Sequence, residues 1–171
     1  MQSPVSGARL SGASGAIGGE TTAGVAPRRP GSRVLIVAVS GQESNPALVA
    51  AVVDRAAAGA GHFHLVLPDP SKHSEVNAHE REVNHAHGED LLRLALPRLS
   101  AAADCDVTGS VSVRHDPMDA IEEMLRAEPF DEILLATTHH TLTERLHLDL
   151  PRRVAHLGLP LTTVLGEAAP S

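Results

Sequence analysis

The sequence predicts an α/β domain, a Rossmann-like open sheet of five parallel strands with helices on both faces. Two observations predict it. Residues 33–39, RVLIVAV, form an apolar, β-branched run that stops at Ser40-Gly41 and passes into an alanine-rich segment led by Pro46. Such a run suits a strand buried on both faces, as in a parallel sheet. The same rhythm of strand, turn and helix then recurs to the end of the chain, giving the order β-α-β-α-β-α-β-α-β. Alternation alone leaves two strand orders open, 3-2-1-4-5 and 2-1-3-4-5.

The first helix is expected over about 45–60. Asn45 is a good N-cap, Pro46 suits the first turn, and Leu48, Val52 and Ala56 stack at i, i+4 spacing. Gly59 and Gly61 end it, and strand two follows over about 62–68. Residues 69–84 are polar without a clear period and read as a mobile segment. Helix two is expected to start between 85 and 89 and to run to about 103, with Pro97 kinking or dividing it. Strand three is expected over about 106–114.

Asp116-Pro117 is a strong helix start, so helix three is expected to run to about 127 on Met118, Ile121 and Leu125. Strand four is 132–137. Asp149 can cap a fresh helix that carries Pro151 in its first turn and closes at Gly158. Strand five is 160–165. Residues 1–32, rich in Gly, Ala, Ser, Thr and Pro, read as a disordered tail, and the C-terminal end after 166 as loose. The ordered domain is therefore placed at 33–166.

Composition narrows the function. Of 171 residues, 42% are apolar and only 1% aromatic, so the core is aliphatic. The net charge of −7, with Lys72 the sole lysine, argues against nucleic acid and against an anionic membrane surface. No apolar run is long enough to span a bilayer. Cys105 stands alone, which excludes an internal disulfide and fits a reducing cytoplasm; it reads as a small core hydrophobe. His85-x-His87 with Glu89 and Asp90 has metal-ligand chemistry but no zinc spacing, so no metal site is assigned.

In open α/β sheets ligands sit beyond the carboxyl ends of the strands, where strand order reverses. Ser40, Gly41 and Gln42 follow strand one, and Thr137, Thr138, His139 and His140 follow strand four. If the two strands adjoin, these residues line one crevice suited to an anion or a small polar ligand. The arginines 145, 152 and 153 are expected to pair with Asp149 or with the acids of helix three, such as Glu122 and Glu123.

At this point the residues resemble a family. AVSGQESNPAL after strand one resembles the AVDGSexSxxAL turn of universal stress proteins. HDPMDAI resembles their GxPxxAI helix entry. FDEILLATTHH, with PRRVAHLGLPLTTVL later, resembles their closing segment. The resemblance covers about 33–165. It implies strand order 3-2-1-4-5, a stress-linked or regulatory binding role, and dimerisation through the last strand.

Members that bind ATP do so through G-x-x-G-x9-G-[ST] after strand four. Here the glycine positions hold Ala136, His139 and Asp149, and Leu150 stands at the hydroxyl position. Ser40 stands where an aspartate would hold the ribose. Side chains at these positions block backbone approach to phosphates, so weak or absent ATP binding is expected. Asp149 joins the candidate set, and the cofactor stays unassigned. No acid, base and nucleophile converge in the sequence, so a binding module is expected rather than an enzyme. Two alternatives remain: a ligand-free dimeric interaction protein, and a nucleotide-dependent enzyme of the ATP-pyrophosphatase type, from the likeness of Ser40–Ser44 to SGGxDS.

Overall fold

The computed structural model describes residues 30–39, 41–70, 77–138 and 149–166. The tail residues 1–29, the segment 71–76, and residues 167–171 lie outside the described residues. So do Ser40, His139, His140 and Arg145.

The elements alternate as the sequence requires. They are β1 (Ser32–Ala38), a 3-10 turn (Gln42–Ser44), α1 (Pro46–Ala57), β2 (Ala60–Leu67) and α2 (Ala78–Ala103). Then come β3 (Val107–Val111), α3 (Pro117–Ala127), β4 (Glu132–Thr138), α4 (Leu150–Ala155) and β5 (Leu161–Gly166). The five strands form one parallel sheet in the order β3-β2-β1-β4-β5. Strands β1 and β4 therefore lie side by side, with Leu35 opposite Ile133 and Ala38 opposite Ala136. They are the two most uniformly buried strands, because helices cover both their faces.

Strand period divides the core in two. Val34, Ile36, Leu65 and Leu134 meet Leu48 and Val52 of α1 and Leu92, Ala95 and Leu99 of α2. On the other face Leu35, Val37, Ile133 and Leu135 meet Met118 and Ile121 of α3 and Leu150 and Val154 of α4. Cys105 packs half-buried against the first core, and burial together with Asp106 and Asp104 pushes its thiol pKa up, away from thiolate chemistry.

Three local expectations need correction. Helix α2 begins at Ala78, well before residue 85, so the polar segment is helical from there on. Asn77 Oδ1 accepts from Glu80 N at 2.9 Å while Asn77 N donates to Glu80 Oε2 at 3.2 Å, a complete capping box. The start carries no apolar stripe because residues 79–83 face solvent.

Pro97 does not divide α2. It lies on the exposed side, where water can serve the carbonyl it leaves unpaired. Asp149 precedes α4, but its side chain makes no capping bond; only its carbonyl is used, by Arg153 N at 2.7 Å. Gly31 N donates to Gly59 O at 2.8 Å, and Ser32, 6% exposed, opens β1.

Candidate functional site

The carboxyl ends of β1 and β4 stay together past the last ladder pair, since Val39 N donates to Ala136 O at 2.9 Å. The chain then turns at Gly41, whose φ of +79° lies in the left-handed region that favours glycine. This turn sends Gln42–Ser44 back across the strand ends as one turn of 3-10 helix. Gln42 and Glu43 are only 4% and 6% exposed. Gln42, which the sequence places at a ligand crevice, and its neighbour Glu43 are both packed into the fold.

Asn45 does two jobs. Its Oδ1 accepts from Ala47 N at 2.9 Å and caps α1, while its Nδ2 donates to Gln42 Oε1 at 3.0 Å. The Asn45 and Gln42 side chains together fill the space beside Gly166, where any Cβ would collide with both. Gly166 pairs in register with Thr138. The end of the sheet is thus roofed by the chain's own amides.

The structure therefore brings Gly41 and Gln42 to the same end of the sheet as Thr137 and Thr138. The two threonines are 1% and 4% exposed and, as consecutive strand residues, direct their side chains to opposite faces. Asp149 is exposed at the start of α4. Ser40, His139 and His140 belong to the undescribed residues.

Glu43, Asn45 and Gly166 were not singled out for this site from sequence. Asn45 carried a signal as the N-cap before Pro46, and Gly166 as a glycine ending an otherwise uncharged strand.

Arg153 Nη1 lies 3.5 Å from Asp116 Oδ2, so its partner is the cap of α3 and not Asp149, Glu122 or Glu123. Glu122 pairs with Arg126 and Glu123 with Arg114. Among the described residues no three His, Cys, Asp or Glu side chains form a metal-binding group, and no helix is long and apolar enough to cross a membrane.

Three solved structures share this architecture. One is a protein from the universal stress protein family from Burkholderia pseudomallei (TM-score 0.58, 19% identity, 78% of this chain and 96% of that one). Another is universal stress protein UspA from Lactobacillus plantarum (TM-score 0.58, 17% identity, 81% and 99%). The third is a universal stress protein in complex with cAMP (TM-score 0.54, 21% identity, 81% and 99%).

The chain has the universal stress protein fold. No family model and no curated protein matches the sequence. Ala136 lies near the end of β4. It is fully buried, with its methyl group in the core beneath α1 and α2.

Proposed function

We propose that the chain is a stress-linked regulatory binding module of the universal-stress-protein type that does not hold ATP tightly. One observation carries the reading: the Gln42 side chain is seated against Gly166 at the carboxyl ends of the strands, with Glu43 buried in the same turn. Polar side chains of the protein fill space that a nucleotide would need. A carboxylate there also opposes a triphosphate electrostatically. The Asp149 carboxylate at a glycine position acts in the same direction.

A second reading keeps a small polar ligand or nucleotide at the site. The solved neighbour in complex with cAMP supports it, because a cyclic nucleotide brings a single phosphodiester where ATP brings a triphosphate. Under either reading the module works as a homodimer joined through β5.

Native mass spectrometry of the protein as purified tests the proposal. The expected spectrum shows a dimer of unliganded chains. A retained mass matching ATP would overturn the proposal, and one matching a cyclic nucleotide would select the second reading.

A further inference from the structure

Three polar side chains meet on one face of the sheet where β2 pairs with the edge strand β3. His64 stands in register with Thr108, and Val66 with Ser110. Alternate residues of a strand share a face, so His64, Thr108 and Ser110 lie on the side where Val66 joins the core under α3.

Their hydrogen bonds run in a defined direction. His64 Nδ1 lies 2.8 Å from Thr108 Oγ1, and His64 Nε2 lies 2.9 Å from Ser110 Oγ. Thr108 Oγ1 donates its one proton to Phe63 O at 3.3 Å, so toward the ring it accepts. Nδ1 therefore carries the hydrogen, and Nε2 turns its lone pair to the Ser110 hydroxyl. Met124 Sδ, 3.9 Å from Ser110 Oγ, is a weaker acceptor than an imidazole nitrogen. Nucleophile, base and orienting group thus follow one another as they do where a serine is activated.

The edge of the sheet adds a donor. Ser112 N donates to Leu67 O at 2.8 Å. In this parallel ladder Ser110 and Ser112 turn their N–H groups toward β2, and Val111 turns its own away from β2. A backbone N–H just after a nucleophilic serine is the kind of donor that stabilises an oxyanion. Ser110 is half-buried and Thr108 exposed, so the pair is open to a small molecule.

We infer that Ser110 and His64 form a catalytic dyad for acyl transfer from small carboxylic esters, with Thr108 as the positioning residue. Ser110 Oγ bonds to the ester carbonyl carbon and passes its proton to His64 Nε2. His64 returns that proton to the alcohol as the C–O bond breaks, which leaves Ser110 acylated. Water then gives a proton to His64 and attacks the acyl carbon. The acid departs, and Ser110 regains its proton. Burial holds the His64 pKa below 6.5; Glu128, following α3, opposes this, while His62 of β2 and Arg33 of β1 add to it. The ring is therefore a neutral base at pH 7.

The test is labelling of the full chain with an alkyl fluorophosphonate. An Oγ–P bond forms, the P–F bond breaks, and His64 takes the proton. Peptide mapping is expected to place a single adduct on Ser110. The labelling rate should fall as pH drops below 6.5 and should level off above it. His64→Gln is expected to slow labelling at least about a hundredfold. Thr108→Val should slow it less, and Thr108→Ser should restore it with the wild-type pH profile. Wild type should hydrolyse p-nitrophenyl acetate faster than Ser110→Ala. A wild type that takes no label, an adduct on another residue, or an unchanged rate in His64→Gln would each overturn the inference. The reading of the β1–β4 crevice stands apart from this result, because none of its residues enters the dyad.

Discussion

Gln42 occupies the space that a side chain on Gly166 would need, so the turn after β1 and the end of β5 fit only while residue 166 is glycine. Gly166→Ala is expected to expel Gln42 from its place against β5. The cost should be about 1–3 kcal/mol, the usual range for overpacking. Gln42→Ala in the same chain should recover part of that loss, because the two positions share one space. Urea unfolding of the two single variants and the double variant checks this. Additive losses would show that the contact is slack.

Arg55 and Glu132 form the most buried ion pair among the described residues, at 2.7 Å with side chains 12% and 2% exposed. Arg55 also donates to Thr162 Oγ1 at 2.6 Å, which joins α1, β4 and the start of β5. Removing Arg55 leaves the buried Glu132 carboxylate without its cation. Arg55→Met is expected to cost about 3–5 kcal/mol, and a double change to apolar residues much less. Equilibrium denaturation of both variants measures the difference.

Different parts of the fold were legible in the sequence for different reasons. Val34–Val37 and Ile133–Leu135 announced central strands because burial on both faces demands an unbroken apolar run. The start of α2 was missed because residues 79–83 have no core to face, so no apolar period marks them. Asn77 and Glu80 did mark it, as a capping box. The burial of Glu43 was not legible at all: a carboxylate in a polar turn normally stays in water, and only the three-dimensional return of the 3-10 turn covers it.

His64 gives the protein a pH dependence. Its Nδ1 lies 2.8 Å from Thr108 Oγ1 and its Nε2 2.9 Å from Ser110 Oγ. Thr108 Oγ1 in turn donates to Phe63 O at 3.3 Å. Burial pushes the His64 pKa below the usual histidine value of 6.5; Glu128 opposes this, while His62 and Arg33 add to it. The folded state therefore binds this proton less readily than the unfolded chain. Its contribution to stability is present above pH 6.5 and is lost as pH falls below 6.5 toward the depressed folded value. Wild type should lose more stability than His64→Gln between pH 7.5 and pH 5. Parallel pH profiles would show that His64 is not responsible.

The edge strand β5 predicts how copies associate. Leu161–Gly166 carries no charge, pairs among the described residues with β4 alone, and leaves Leu165 39% exposed. Unguarded edges favour pairing with a second strand. Thr163→Pro removes a donor in mid-strand and should shift the protein toward monomer. Light scattering reads the change, and a monomeric wild type at tens of micromolar would end the dimer proposal.

The claim that the protein's own side chains take the nucleotide's space is tested most directly by calorimetry with ATP and Mg²⁺. The filled space around Gln42 and the carboxylate of Asp149 together predict no saturable heat at tens of micromolar protein. A dissociation constant below one micromolar would contradict the account and would mean that Gln42 yields its place to the nucleotide.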